Sequence, residues 1–232
     1  MKPLFPFYGS KWRAAKLYGA PKSTLVVEPF AGSAGYSIFW EPQRVALFDT
    51  DENIVQVWQY LIRAAPAEIL ALPDLEPEQT TDDLDVPPEA KLLIGFWLNR
   101  GSATPKKSQT AFSRRTERSQ LVWSARARQR IAAETPKVRH WTICLGSYDE
   151  ASYAGAHLFV DPPYVDKGRF YRKRLSATDY EHLAAWCKIE ATQNHLTVCE
   201  GPGATWLPFS PLASLKSTKG RAEEFVWTAG PR

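Results

Sequence analysis

The segment from residue 24 to residue 63 constrains the fold most, because two apolar stretches in it are separated by a glycine turn. The first stretch, "TLVVEPF", is apolar except for Glu28 and is followed by "AGSAG" and the apolar "YSIFW". The second, "RVALFD", ends on Asp49 and precedes the amphipathic "IVQVWQYLIRAA". A strand, a glycine turn, a helix and a second strand that ends on an acid are typical of the start of a doubly wound α/β sheet.

This α/β pattern is interrupted and then resumes. Residues 64–90 contain eight acids, five prolines and no basic residue, which indicates an irregular surface excursion outside the core. The α/β pattern returns with "HWTICLGSY" and "HLFVDPPY". We therefore predict one α/β domain built from residues 1–62 and 140–232, and an inserted, mainly helical domain of residues 63–139.

Positive charge is concentrated in the second half of the insertion. The basic segment, residues 100–139, holds eleven Lys/Arg and only two acids, whereas the whole chain has a net charge of +4. The rest of the chain is therefore acidic. A local excess of this size predicts a surface for a polyanion. The alternative is a helix face that is merely solvated.

Three features fall where an open α/β sheet binds its ligands, beyond the carboxyl ends of its strands. Gly32 and Gly35 let the first turn pass close to a ligand. Asp49 suits the hydroxyls of a ribose, with a helix N-cap as the alternative. The third feature is Asp161-Pro162-Pro163-Tyr164, which follows the strand "LFV".

The tetrapeptide at 161–164 offers hydrogen-bond acceptors on a rigid frame beside an aromatic ring. An ionised Asp161 only accepts, and each proline has a carbonyl but no N–H. A partner that suits this arrangement is an aromatic amine whose ring stacks on Tyr164. Adenine and cytosine both meet that description, and the alternative is a structural Pro-Pro turn.

In chain order, "PFYGSK", "VEPFAGSAG", "DTDEN" and "FVDPPY" resemble the motifs of the Dam-like class of DNA N6-adenine methyltransferases. The resemblance implies a Rossmann-like methyltransferase sheet with an inserted, helical target-recognition domain. It also implies S-adenosylmethionine as cofactor, S-adenosylhomocysteine as product and double-stranded DNA as substrate. The target base would leave the duplex and enter the pocket formed by residues 161–164.

The same resemblance assigns roles to individual residues. Catalysis falls to Asp161, Pro162, Pro163 and Tyr164. Cofactor binding falls to residues of the four motifs and of the segment before the last one: Phe7, Tyr8, Gly9, Lys11, Glu28, Pro29, Phe30, Ala31, Gly32, Gly35, Asp49, Thr50, Ser147, Tyr148 and Asp161. DNA binding falls to the polar and basic residues Asn99, Arg100, Lys106, Lys107, Arg114, Arg115, Arg118, Arg126, Lys167, Arg169 and Arg172.

The sequence also departs from this class and leaves alternatives open. Ser147-Tyr148 stands where the class usually has an acid before a phenylalanine, which predicts weaker cofactor binding. N4-cytosine methylation of DNA uses the same acceptors, and a non-catalytic DNA-binding protein is a different class of function. A nicotinamide-dependent oxidoreductase shares the strand–glycine–helix–strand–Asp pattern, but the sequence lacks GxGxxG.

Other residues indicate the setting in which the chain works. Cys144, Cys187 and Cys199 have no metal-like spacing and predict reduced core residues of a cytoplasmic protein, with no metal site. No apolar run is long enough to cross a bilayer, so we expect no membrane partner. Any restriction endonuclease for the same DNA site would be a separate chain.

Overall fold

A seven-stranded mixed sheet forms the centre of the protein, in the order β3-β2-β1-β4-β5-β7-β6. The computed structural model describes residues 1–99, 101–111, 114, 122–166, 171–172, 174–217 and 220–231. β1 to β5 run parallel, and β7 is antiparallel to both β5 and β6. The strands are β1 Leu25–Glu28, β2 Arg44–Asp49, β3 Thr142–Leu145, β4 His157–Val160, β5 His195–Glu200, β6 Ser210–Ser217 and β7 Gly220–Ala229.

Helices connect the parallel strands and cover the sheet, which confirms the predicted α/β class. In the part of the chain that the structure describes, the helices are α1 Gly35–Trp40, α2 Glu52–Arg63, α3 Pro66–Ala71, α4 Pro88–Leu98, α5 Ala125–Glu134 and α6 Ala177–Glu190. None of these helices combines the length and apolar character that a membrane crossing requires.

Local sequence explains the central elements. β1 and β4 are buried along their whole length, as expected for parallel strands that are covered on both faces. Asp51 is the N-cap of α2, and its side chain accepts a hydrogen bond from the Asn53 N–H at 3.0 Å. α6 begins at a capping box in which Ser176 and Asp179 bond each other's backbone N–H groups.

The order of the strands creates a switch point beside β1. The chain passes from β1 to β2 and β3 on one side, and then to β4 and β5 on the other. The carboxyl ends of β1 and β4 are therefore neighbours, with connections that leave in opposite directions. A crevice opens at such a point in α/β sheets and is their usual ligand site.

The insertion between α2 and β3 shares one hydrophobic cluster with the N-terminal residues and α2. In this cluster the rings of Phe5 and Phe96 lie 5.1 Å apart, and those of Trp58 and Trp141 lie 5.6 Å apart. Leu93 in α4 is completely buried in the same cluster. The domain boundaries at residues 63 and 139 stay a prediction. The insertion and the N-terminal part of the α/β domain nevertheless pack into one continuous core.

The prediction that residues 64–90 lie outside the core is wrong in part. Ile69, Leu72, Leu75 and Leu84 are buried and belong to the shared cluster. The many acids and prolines of this segment obscured its apolar positions in the sequence. In the structure most of the acids are exposed, whereas these apolar side chains between them face the core.

The acids of this excursion pair with cations of the basic segment. The side-chain distances are 2.7 Å for Lys107–Asp82, 3.4 Å for Arg114–Glu78 and 2.5 Å for Arg128–Asp74. Two stretches of opposite charge that are separate in sequence are thus adjacent in space. Part of the positive excess of the basic segment is therefore balanced within the fold.

The shared core predicts that the insertion and the sheet unfold together. We expect Leu93→Ala to lower the free energy of unfolding by about 2–5 kcal/mol in one cooperative transition, because it opens a cavity in that core. Urea unfolding followed by tryptophan fluorescence and by circular dichroism measures this. The matched control is Leu70→Ala, at a side chain that is 49% exposed. Two separate transitions in Leu93→Ala would contradict the shared core.

Candidate active site

A cleft lies beyond the carboxyl ends of β1, β2 and β4, at the switch point. It encloses about 760 Å³ of empty space, part of which is open to solvent. Its walls come from the N-terminal turn, the glycine turn after β1, the end of β2 and the segment that follows β4. The lining residues are Phe7, Tyr8, Gly9, Ser10, Lys11, Glu28, Phe30, Ala31, Gly32, Ser33, Gly35, Asp49, Thr50, Asp51, Ile54, Ala103, Asp161, Pro163, Tyr171, Arg172 and Leu175.

The glycine turn is tightly packed, and its glycines are required for steric reasons. Gly32 has φ +45°, and a Cβ there would lie 2.9 Å from the Phe7 ring. A Cβ on Gly35 would lie 2.6 Å from the Trp12 backbone nitrogen and 2.8 Å from that of Lys11. Both glycines thus let the N-terminal turn close against α1, which brings Lys11 to the cleft.

Asp49 at the end of β2 holds the glycine turn in place. Its carboxylate accepts from the Gly32 N–H at 3.0 Å and from the Asp51 N–H at 2.9 Å. Burial raises the pKa of Asp49 to about 6, although these hydrogen bonds act in the opposite direction. The Thr50 N–H also bonds this carboxylate. A carboxylate has about four lone-pair sites, so Asp49 keeps capacity for about one further hydrogen bond.

Lys11 and Asp161 form an ion pair at the base of the cleft. Lys11 Nζ lies 2.9 Å from Asp161 Oδ1 and donates a hydrogen bond to the Gly9 carbonyl at 3.0 Å. Burial raises the pKa of Asp161 to about 6, although Lys11 lowers it. Burial also opposes the charged form of Lys11, but the carboxylates of Asp161 and Glu224 outweigh it and raise the pKa of the ammonium. Each charge thus depends on the other.

Glu28 is another carboxyl group of the cleft, only 2% exposed, and lies at the end of β1. Its side chain is bonded at 2.8 Å by the Ser37 N–H, in the first turn of α1. Burial raises the pKa of Glu28 to about 8, against this hydrogen bond. A cationic ligand in the cleft would favour the ionised form of this group.

Tyr164 is buried, and its ring does not line the cleft. It is only 6% exposed, and its hydroxyl donates to Glu224 Oε2 at 2.5 Å. Lys11 Nζ lies 4.6 Å from the centroid of the ring. The predicted stacking of a base on Tyr164 has no open ring face in this arrangement.

The structure gathers most of the predicted cofactor residues in the cleft. Phe7, Tyr8, Gly9, Lys11, Glu28, Phe30, Ala31, Gly32, Gly35, Asp49, Thr50 and Asp161 line it, together with Pro163 from the predicted catalytic set. Pro29 and Pro162 are buried beside it. Ser147 precedes a 3-10 turn, and Tyr148 stacks on Phe30 at 5.7 Å, behind the lining.

The predicted DNA-binding residues are spread over several surfaces. Lys106 and Arg126 are exposed, whereas Lys107 and Arg114 pair with acids of the excursion. Asn99 ends α4 and accepts from the Gly101 N–H at 3.3 Å. Arg172 lines the cleft and pairs with Asp51 at 3.2 Å. Arg100, Arg115, Arg118, Lys167 and Arg169 lie outside the described residues.

Sequence reasoning missed several residues of the site. Asp51, Tyr171 and Leu175 line the cleft, and Glu224 and Tyr18 support it from behind. Asp51 was visible in "DTDEN", but only Asp49 of that motif was considered, both as a ribose ligand and as the N-cap. In the structure the N-cap of α2 is Asp51, which also lines the cleft. Nothing in the sequence around Glu224 marks it, because its partners are distant in the chain.

Comparison with protein-family models found no match, and comparison with curated proteins found none. Among solved structures the chain is similar to the rRNA methyltransferase aviRa from Streptomyces viridochromogenes, at 13% identity over 100% of this chain and 91% of that chain, with a TM-score of 0.46. It is also similar to the putative methyltransferase yhhF from Escherichia coli, at 11% identity, 96% and 82% coverage and a TM-score of 0.39. An rRNA methylase from Streptococcus thermophilus matches at 8% identity, 100% and 98% coverage and a TM-score of 0.37. These names describe the other proteins and assign no activity to this chain.

The burial of Glu28 predicts a pH-dependent stability. A carboxyl group whose pKa rises on folding stabilises the fold most when protonated, so its contribution is lost as pH rises from about 4 through about 8. We expect Glu28→Gln to lose less stability than the wild type between pH 5 and pH 8. Urea unfolding across this range measures the difference, with Glu181→Gln at an exposed carboxylate as the control. Parallel pH profiles for wild type and Glu28→Gln would contradict it.

Proposed function

We propose that this protein is an S-adenosylmethionine-dependent DNA methyltransferase that methylates the N6 amino group of adenine. The observation that carries the proposal is the position of Asp161. Its half-buried carboxylate lies at the carboxyl end of β4 and lines the same cleft as the glycine turn and Asp49. An acceptor for an amino group and a candidate cofactor site thus share one cavity.

The residues of the cleft suit this cofactor. Glu28, Asp49, Asp51 and Asp161 line it, against the cations Lys11 and Arg172. Such an excess of carboxyl groups favours a ligand with sulfonium and ammonium charges. The free acceptor capacity of Asp49 suits ribose hydroxyls, and Glu28 with the glycine turn would hold the methionine end. When bound, S-adenosylmethionine supplies an electrophilic methyl group.

Asp161 would activate the target amine by accepting a hydrogen bond from its N–H. The amine nitrogen of adenine is a weak nucleophile, because its lone pair is delocalised into the ring. Asp161 and the Pro162 carbonyl would accept hydrogen bonds from the two N–H groups. These bonds would increase the electron density on nitrogen and orient the amine. Lys11 keeps Asp161 ionised at neutral pH by lowering its pKa, against the effect of burial. The contribution of these residues is positioning and electrostatics.

Other aromatic residues could receive the extruded base. Phe7, Tyr8, Phe30 and Tyr171 line the cleft, whereas Tyr164 does not. Stacking on aromatic side chains offsets part of the cost of unstacking a base, which is a few kcal/mol. We therefore propose that one of these rings, and not Tyr164, stacks on the extruded base.

DNA would dock on basic side chains that are exposed and for which the structure shows no acidic partner among the described residues. Arg126 is exposed on α5, and Lys106 is exposed in the loop after α4. Contacts of such residues with phosphates would position the duplex without reading its sequence. The internal pairs of Lys107, Arg114 and Arg128 reduce the number of cations available for this purpose.

The role of Asp161 predicts a selective loss of turnover. We expect Asp161→Asn to lower methyl transfer about 100-fold or more, since an amide accepts more weakly than a carboxylate. Transfer of tritium from labelled S-adenosylmethionine to duplex DNA measures the rate, and calorimetry should show that cofactor still binds. The control is Asp149→Asn at an exposed carboxylate.

The product decides between the proposed reaction and its neighbours. Mass spectrometry of nucleosides from the methylated duplex should show N6-methyladenine. N4-methylcytosine would move the proposal to cytosine, and label in RNA but not in DNA would overturn it. Near wild-type turnover of Asp161→Asn would remove Asp161 from the chemistry.

The docking proposal predicts a salt dependence. Log affinity for duplex DNA should fall with log salt concentration, and Arg126→Ala should make the slope shallower by about 0.9 if Arg126 contacts one phosphate. Fluorescence anisotropy with a labelled duplex at several salt concentrations measures the slopes. The matched control is Arg44→Ala, at the amino end of β2 and away from the cleft. Equal slopes for Arg126→Ala and wild type would exclude this contact.

A further inference from the structure

We infer that Glu224 is a positioning residue of the active site, which acts through Tyr164 on the Lys11–Asp161 pair. The inference rests on the proposed function and assigns the β6–β7 hairpin a part in it. Glu224 lies in β7, on the antiparallel side of the sheet, and does not line the cleft. Its effect on Asp161 would therefore be indirect.

Glu224 joins two tyrosines that are far from it in sequence. Its Oε2 accepts from the Tyr164 hydroxyl at 2.5 Å and from the Tyr18 hydroxyl at 2.7 Å. All three side chains are buried, with Glu224 only 9% exposed. A buried carboxylate is costly unless its oxygens accept hydrogen bonds, and hydrogen bonds to a charged group are strong. The two bonds to this oxygen therefore restrain both phenols.

Tyr164 passes this restraint to Lys11. The ring is enclosed on one side by Gly201, where a Cβ would lie 3.1 Å from Tyr164 Cδ2. The ammonium of Lys11 lies 4.6 Å from the ring centroid and 2.9 Å from Asp161 Oδ1. An ammonium over an aromatic ring is attracted by the π electrons. A fixed ring therefore gives a fixed ammonium, and the ammonium orients Asp161.

Charge supports the same connection. Lys11 interacts electrostatically with two carboxylates, Asp161 and Glu224, and both raise its pKa. The negative charge of Glu224 also raises the pKa of Asp161, in addition to burial. Among the residues that the structure describes, the other titratable groups that interact electrostatically with Asp161 are Glu28, Tyr18, Tyr164, Tyr171 and Cys199.

The tyrosines and the cysteine do not titrate in the range where Asp161 does. Burial raises the pKa of Tyr18, Tyr164, Tyr171 and Cys199, so these groups stay neutral. A change of charge at Glu224 should consequently be detected at Asp161 and Lys11.

The two possible roles of Tyr164 depend on different parts of its side chain, the ring or the hydroxyl. A stacking platform needs only the ring, so Tyr164→Phe would then keep full turnover. If Tyr164 positions Lys11 through its hydrogen bond to Glu224, the hydroxyl is required, so Tyr164→Phe should lower turnover. Tyr18→Phe is the matched control, because it removes the other phenol from the same oxygen of Glu224 and leaves the ring beneath Lys11 in place.

The first experiment compares Tyr164→Phe, Tyr18→Phe and wild type. We expect kcat for methyl transfer to duplex DNA to fall about 10- to 100-fold in Tyr164→Phe, with a clearly smaller loss in Tyr18→Phe at a similar loss of stability. KM for S-adenosylmethionine should change little. Equal losses of turnover in the two variants would overturn the inference, because the network would then be only structural.

The second experiment follows the titration of Asp161 by NMR in aspartate-labelled protein, with the signal assigned through Asp161→Asn. Removal of the charge in Glu224→Gln should move the midpoint to lower pH, since Glu224 raises the pKa of Asp161. The acid limb of the pH–rate profile should move in the same direction. An unchanged midpoint in folded Glu224→Gln would overturn the inference.

The two experiments separate this inference from the proposed function. If the wild type transfers no methyl group to DNA, the proposed function fails, and the NMR titration still tests whether Glu224 acts on Asp161. If the wild type is active but Tyr164→Phe matches Tyr18→Phe, only the inference fails.

Discussion

The ion pair between Lys11 and Asp161 is the interaction on which the site depends. A carboxylate at the carboxyl end of a buried strand is costly in a nonpolar surrounding, and an ammonium 2.9 Å away offsets that cost. The pair also joins two distant parts of the chain, since Lys11 precedes β1 and Asp161 follows β4. Formation of this pair therefore requires the N-terminal turn to close over the switch point of the sheet.

The glycine turn and Asp49 make that closure possible. Gly35 lets the backbone of Lys11 and Trp12 approach α1, and Gly32 accommodates the Phe7 ring. Asp49 holds the turn through the Gly32 N–H. The glycines expected to approach a ligand thus serve first to pack protein against protein. The cleft is what remains open once this packing is complete.

On the outer surface, too, opposite charges from distant parts of the chain pair with each other. The excursion at residues 64–90 is acidic where it faces outward and apolar where it faces the core. Its acids meet Lys107, Arg114 and Arg128, so the positive charge that stood out in the sequence is shared between internal pairs and exposed side chains. The pairs of Lys107 and Arg114 join exposed side chains, and such pairs contribute little stability, about 0–1 kcal/mol each. Their main effect is to lower the net positive charge that the basic segment exposes.

The sequence by itself determined the α/β class, the acids that end β2 and β4, and the glycine turn, because these follow from local periodicity and from the short-range geometry of turns. Tertiary structure alone decided the partners of these groups. Tyr164 reads as a stacking ring in the sequence, yet a carboxylate 60 residues away holds its hydroxyl in the interior. Glu224 and Tyr18 are 206 residues apart in the chain, and Glu224 is placed by the pairing of β7 with β5, on the other side of β4 from β1. Contacts of this kind depend on sheet order and burial, which no local pattern in the chain records.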